Sequence, residues 1–217
     1  MTAKDKNNIF VLFIVSGVLL AVISAFLPFM GHPYYSVVPG ALACISLVFA
    51  AAFSRNEKNK KLSIVSSFSL YLSFLLAFTV LGRNIYPIFN HNSLSDAFRG
   101  RVYIVPFKNI EYYGSLMFTS QWKNAFINFF GNLIALTPFS FYLPRLYGKA
   151  YRRKTYFICL FCMVSFIEIT QLILGCGVFD IDDYILNMSG AWIAYELLSG
   201  KKARVFLDRF LGTVSDT

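Results

Sequence analysis

Long apolar stretches separated by short polar connectors dominate the chain. Runs at roughly 9–30, 34–54, 62–82, 124–143, 155–174 and 184–199 are nearly free of charge. The first five reach the roughly 18–20 residues a helix needs to cross a bilayer. The sixth is shorter, but an Asp-rich loop in front of it and "SGKK" behind it fix its ends. The pattern predicts an all-α, polytopic bundle of about six transmembrane helices. Composition agrees: 57% of residues are hydrophobic, 14% are charged and the mean hydropathy is +0.58. A soluble domain lies nearer half apolar and a quarter charged. Lys4 and Lys6 precede the first run as they would in a signal peptide. That run is too long and has no small-residue cleavage site, so it reads as a retained span.

Residues 1–82 thus form three N-terminal spans, and 83–123 an extracytoplasmic, interfacial segment. Residues 124–199 form a three-helix core with an acidic outer loop, and 200–217 a cytoplasmic tail. The 83–123 segment mixes Tyr86, Tyr103, Phe107, Tyr112, Tyr113 and Trp122 with polar residues, which suits the headgroup zone. Within it "RVYIVPF" reads as extended and "IEYYGSLMF" as a short helix. The tail "ARVFLDRFL" has apolar residues at helical spacing and is expected along the inner surface.

The net charge of +9 is explained by topology. Lys4 and Lys6, the connector "RNEKNKK", the connector "PRLYGKAYRRK" and the tail hold fifteen of the twenty Lys and Arg residues. Six spans put all of these on one side, which the positive-inside rule makes cytoplasmic together with both termini. The address this implies is a membrane whose lipids are the expected partners. No nucleic-acid partner is needed to account for the charge. Cys44, Cys159 and Cys162 fall inside spans, where they act as small apolar residues. Cys176 is expected to face outward without a disulfide partner. His32 and His91 are the only histidines and have no ligand partner nearby in sequence, so zinc is disfavoured. No cofactor is expected, and any other metal stays open.

Against the basic background, four of the eleven acidic residues fall within sixteen positions: Glu168, Asp180, Asp182 and Asp183. Polar residues also recur inside the last three spans at helical spacing. Asn128 and Asn132 are four apart, Glu168 and Gln171 three, and Asp183 and Asn187 four, so each pair shares a helix face. A carboxylate within a span is costly unless paired or hydrated. At 1.5 Å rise per residue, Glu168 lies about 9 Å below the outer end of its run and Asn132 about 12 Å below its own. Asn132, Glu168, Gln171, Asp180, Asp183 and Asn187 can therefore share one outer-leaflet layer and line a polar pocket. Interhelical glue explains Asn128 and Gln171 equally well. A solvated helix cap does the same for Asp180 and Asp182.

With these residues in view, 102–197 resembles the VanZ family, small bacterial membrane proteins named for a member associated with teicoplanin resistance. The resemblance rests on "VYIVPFKNIEYY", "NFFGNLIALTPFSFYLP", "SFIEITQL" and "FDIDDYILNMSGAWIAY", in that order. It implies Asn132, Glu168, Gln171, Asp180, Asp183 and Asn187 as the polar set, with Pro106, Phe107, Pro138 and Gly190 as structural positions. There are departures. Where the family commonly has an Arg before the acidic loop, this chain reads "GCGVF"; Tyr103 and Ser140 also differ from the family pattern.

Three readings follow. In the first, the pocket binds a lipid-linked cell-wall precursor or a lipid-tailed glycopeptide and so protects the cell. Arg99, Arg101 and Lys108 would then meet any phosphate, unless a divalent cation bridges to the carboxylates. The second is a small lipid transporter or flippase, although no inverted repeat is visible. A homodimer could supply what one chain lacks. The third is an intramembrane lipid-modifying enzyme using Glu168 and Asp183. The His and Arg sets of lipid phosphatases are missing, so no catalytic residue is assigned.

Overall fold

The computed structural model describes residues 2–26, 37–81 and 98–211. The first part of the interfacial segment (83–97, with Tyr86 and His91), His32 and the last six residues lie outside the described residues. In chain order the elements are α1 (Ala3–Phe26), α2 (Val37–Phe53) and α3 (Glu57–Leu76), the last extended by a π-helical turn Ala77–Leu81. Next come β1 (Val102–Tyr103), α4 (Lys108–Leu116), α5 (Trp122–Ala135) and α6 (Phe139–Leu146). A 3-10 turn at Gly148–Tyr151 leads into α7 (Arg153–Leu174), β2 (Phe179–Asp180), α8 (Ile181–Ser199) and α9 (Lys201–Leu211).

Four stretches are long and apolar enough to cross a membrane: Asp5–Ala25, Glu57–Val80, Trp122–Leu146 and Arg153–Leu174. α2 is apolar but shorter, and α8 carries Asp182, Asp183 and Glu196. The helices expose apolar side chains freely, among them Leu12, Val15, Val18 and Leu19 on α1 and Phe157, Phe161, Phe166 and Ile169 on α7. Such faces suit lipid rather than water.

The chain divides into two compact units. One comprises Met1–Ala77, Arg145–Gly148 and Gly200–Thr217. Small residues let its helices approach: Ala43, Ala50, Ala51, Ser63 and Ser67 are buried. Ser67 Oγ donates to the Cys44 carbonyl at 2.9 Å, tying α3 to α2, and Phe13 stacks on Phe49 and Phe53. Asn56 caps α3 by accepting the Lys58 N–H at 2.9 Å. Within this unit α9 buries Leu211 and leaves Val205, Phe206 and Phe210 exposed. Its Asp208 pairs at 2.9 Å with the buried Arg145.

The other unit comprises Phe78–Pro144 and Lys149–Ser199. α8 packs on α5 and α7. Gly190 makes the α5 contact possible, since a Cβ there would stand 1.7 Å from the Leu133 carbonyl oxygen. At one end of α7 and α8, Tyr156 and Tyr195 stack with ring centroids 4.0 Å apart. Their hydroxyls donate to the carbonyls of Ala191 and Tyr151. The run expected as one span at 124–143 lies within the candidate span Trp122–Leu146, with a local break where α5 ends at Ala135 and α6 begins at Phe139. Pro138 lacks the N–H that would continue the helical ladder, which accounts for a break there.

Candidate functional site

The acidic loop and the segment before α5 are folded together. β1 and β2 pair in parallel, Val102 opposite Phe179 and Tyr103 opposite Asp180. The Phe179 N–H donates to the Arg101 carbonyl at 2.8 Å. After Pro106, Phe107 takes a left-handed conformation (φ 67°), a setting in which a bulky residue is strained. The kink turns the backbone into α4, whose N-cap position, Phe107, offers no side-chain acceptor.

Asp182 supplies that acceptor. Its Oδ1 accepts the Phe107 N–H at 2.5 Å, and its Oδ2 accepts those of Asn109 at 2.7 Å and Ile110 at 3.0 Å. Three N–H groups that α4 would otherwise leave unsatisfied thus meet one carboxylate, in the orientation the helix dipole favours. Asp182 is only 1% exposed. Asp180 serves its own helix: Oδ1 accepts the Asp182 N–H at 2.9 Å, while Oδ2 accepts Asn109 Nδ2 at 2.5 Å. Asp180 is therefore a cap, as the sequence allowed, but a buried rather than a solvated one.

Deeper along α7 and α8 the remaining polar residues meet. Glu168 is buried and accepts the Asp180 N–H through Oε2 at 3.5 Å. Asn132 of α5 donates through Nδ2 to Asp183 Oδ1 of α8. Asn187 Nδ2 donates to the Asp183 carbonyl at 2.9 Å. Gln171 Nε2 reaches the Thr79 carbonyl in the π-helical turn at 3.0 Å. A π turn shifts carbonyls out of the ordinary ladder, so one is available to a side chain here. Cys176 is buried, with its thiol 3.8 Å from the Gln171 carbonyl. Asn128 is exposed and bonds back to Asn124 of its own helix, apart from this layer.

Most of the expected polar set falls into two adjoining tiers, while Gln171 bonds instead to the Thr79 carbonyl. Glu168, Asp180 and Asp182 form a chain of acceptors that clamps segment 102–110. Below it, Asn132 and Asp183 tie α5 to α8, and Asn187 bonds back to Asp183 within α8. Arg99 and Lys108 are exposed at the edge, and Arg101 is half-buried there. Sequence reasoning did not count Asp182 or Asn109 among the site residues. The available signal was "VPFKNIEYY" itself, a helix start with Phe at the cap position and no Ser, Thr, Asp or Asn to fill it. Exposed apolar side chains crowd the same segment: Ile104, Val105, Phe107, Tyr112 and Phe118, the last 95% exposed. Among the described residues no group of three His, Cys, Asp or Glu is arranged to hold a metal ion.

Apolar helices of spanning length, with a buried polar layer between them, define a helical membrane protein. The family model described as VanZ/LLP1 matches residues 68–202, well over half of the chain. The chain belongs to that family. The match reaches beyond the 102–197 resemblance and takes in the end of α3 and the π turn that Gln171 holds. No curated protein and no solved structure matches it.

Proposed function

We propose that this chain is a six-span protein of the bacterial plasma membrane, with both termini cytoplasmic, that protects the cell against lipid-tailed glycopeptides of the teicoplanin type. In this reading the polar layer lies in the outer leaflet. It engages a lipid-linked wall precursor or the antibiotic itself. Asn132, Glu168, Gln171, Asp180, Asp183 and Asn187 form or shape the pocket. The aromatic residues of 98–122 hold the acyl portion, and Arg99, Arg101 and Lys108 are available to a phosphate. The observation that carries the reading is the clamp. A buried carboxylate set fixes an apolar, aromatic segment directly beside the polar layer, the juxtaposition an amphipathic lipid ligand requires.

The test is antibiotic susceptibility in a Gram-positive host expressing the wild type, Glu168→Gln or Asp183→Asn at matched membrane levels. Teicoplanin is compared with vancomycin, which lacks the acyl tail. Protection against teicoplanin alone, lost in both variants, is expected. Equal protection by variants and wild type would sink the assignment of the pocket. A second reading, lipid transport, is favoured by the interruption between α5 and α6, because broken helices often flank transport sites. It requires lipid movement in proteoliposomes driven by a proton gradient, and stoichiometric protection without turnover excludes it.

A further inference from the structure

Arg101 stands out among the cations of the acidic region. Its Nη1 is buried and has no hydrogen-bond partner among the described residues. One nitrogen of a charged fork shielded from water without an acceptor carries a cost that a ligand oxygen would relieve. The neighbouring carboxylates do not relieve it. Both oxygens of Asp182 are taken by the N–H groups of Phe107, Asn109 and Ile110. Both oxygens of Asp180 are taken by Asp182 N–H and Asn109 Nδ2. Among the described residues no ion pair involves Arg101.

The local backbone leaves room for a ligand. Arg101 closes a turn in which its own N–H donates to the Phe98 carbonyl at 3.0 Å. Gly100, between Arg99 and Arg101, has φ 68°, and a Cβ built there meets nothing within 4 Å. Arg99 is exposed beside it. The segment that follows is exposed and apolar at Val102, Ile104 and Val105, a composition suited to the boundary between headgroups and acyl chains. The anion available in quantity at that boundary is phosphate, whose oxygens match the planar fork of a guanidinium.

We infer that Arg101, with Arg99 and the open turn at Gly100, is a binding site for a lipid-borne phosphate, in which Nη1 donates to a phosphate oxygen. The inference deepens the reading above and rests on it only in placing this segment among the headgroups. It assigns the anionic end of the ligand to the turn before β1 rather than to the carboxylate layer.

The test uses the full-length protein purified in a neutral detergent and reads its melting temperature. Three probes are compared at equal concentration: short-chain phosphatidic acid, short-chain diacylglycerol and inorganic phosphate. A ligand that binds the folded state raises the melting temperature with its concentration. Phosphatidic acid is expected to raise that of the wild type and diacylglycerol to leave it unchanged. Arg101→Gln should need at least about tenfold more phosphatidic acid for the same shift, since a neutral amide replaces the charged fork. Lys123→Gln removes an equal charge from the same segment and should respond like wild type. Without ligand, Arg101→Gln should melt no lower than wild type, so a failure to fold is separable from a failure to bind. An equal response to inorganic phosphate supports the site and identifies free phosphate as its source. An unchanged response in Arg101→Gln, or an equal response to diacylglycerol, overturns the inference. If the phosphatidic acid shift holds while the host gains no teicoplanin protection, the protective function fails and the phosphate site stands.

Discussion

Asp182 Oδ2 accepts the backbone N–H of Asn109 at 2.7 Å, across 73 residues of chain. A carboxylate in the first turn of α8 is thus the N-terminal cap of α4, and the residue that fixes the kink at Phe107. Without it, three N–H groups at this helix start lose their acceptor and the left-handed Phe107 loses what holds it. Asp182→Ala is expected to destabilise the fold by about 2–4 kcal/mol, more than an ordinary cap, because several bonds to a charged group are lost together. Asp182→Asn, which keeps one carbonyl oxygen, should cost about half as much. Limited trypsin digestion checks the local effect. Cleavage at Arg99, Arg101 and Lys108 should accelerate in Asp182→Ala well before the core helices become sensitive. Unchanged cleavage would show that the segment is held by other contacts.

Gly190 and Gly131 give a matched pair. A Cβ at Gly190 would collide with the Leu133 carbonyl at 1.7 Å, whereas one at Gly131 meets nothing within 4 Å. Gly190→Ala must push α8 away from α5 and should destabilise by about 3 kcal/mol or more, at the upper end of overpacking costs. Gly131→Ala sits in an open helical position and should be neutral or stabilising by up to about 1 kcal/mol. Unfolding in detergent by a mild denaturant measures both. Similar losses in the two variants would mean that α5 tolerates no methyl on any face.

The contrast between these positions shows what the sequence could and could not reveal. Helices follow from long apolar runs. The run at 155–174 became α7 (Arg153–Leu174), and the four-residue spacing of Asp183 and Asn187 put both on the α8 face that meets Asn132. The helix break at 136–138 was less visible, because apolarity continues across it and lipid-facing helices impose no polar interval. Only Pro138 marked it. The cap from Asp182 to α4 was invisible for a different reason. A carboxylate at a helix start is satisfied most simply by its own helix, and nothing local says that it serves another.

Asn132 and Asp183 offer a direct measure of how much one polar pair contributes between these helices. Asn132 Nδ2 donates to Asp183 Oδ1 across α5 and α8. A double-mutant cycle with Asn132→Ala and Asp183→Ala should give a coupling of about 1 kcal/mol, typical of interhelical polar contacts in membranes. Asn132→Ala alone should cost at least as much as Asp183→Ala, because it deprives a charged carboxylate rather than a neutral amide of its partner. A coupling near zero would mean that each residue is satisfied elsewhere, and the tier below the clamp would then be adaptable rather than rigid.

Arg145 and Asp208 test the other unit. Their 2.9 Å ion pair joins a guanidinium side chain only 2% exposed to a carboxylate 21% exposed. Arg204 Nε adds a longer approach to the same carboxylate at 3.8 Å. Removing one partner of a buried pair leaves the other charge poorly compensated, so Asp208→Asn should destabilise this unit by up to about 3 kcal/mol. Replacing both, as Arg145→Met with Asp208→Leu, removes the charge problem as well as the pair. That variant should come within about 1 kcal/mol of wild type. The readout is tryptic release of the α9 segment from the purified protein, fast in the single variant and slow in the double. If both variants release α9 equally fast, the ion pair is specifically required to hold α9, and apolar packing around Leu211 is too weak to keep it in place.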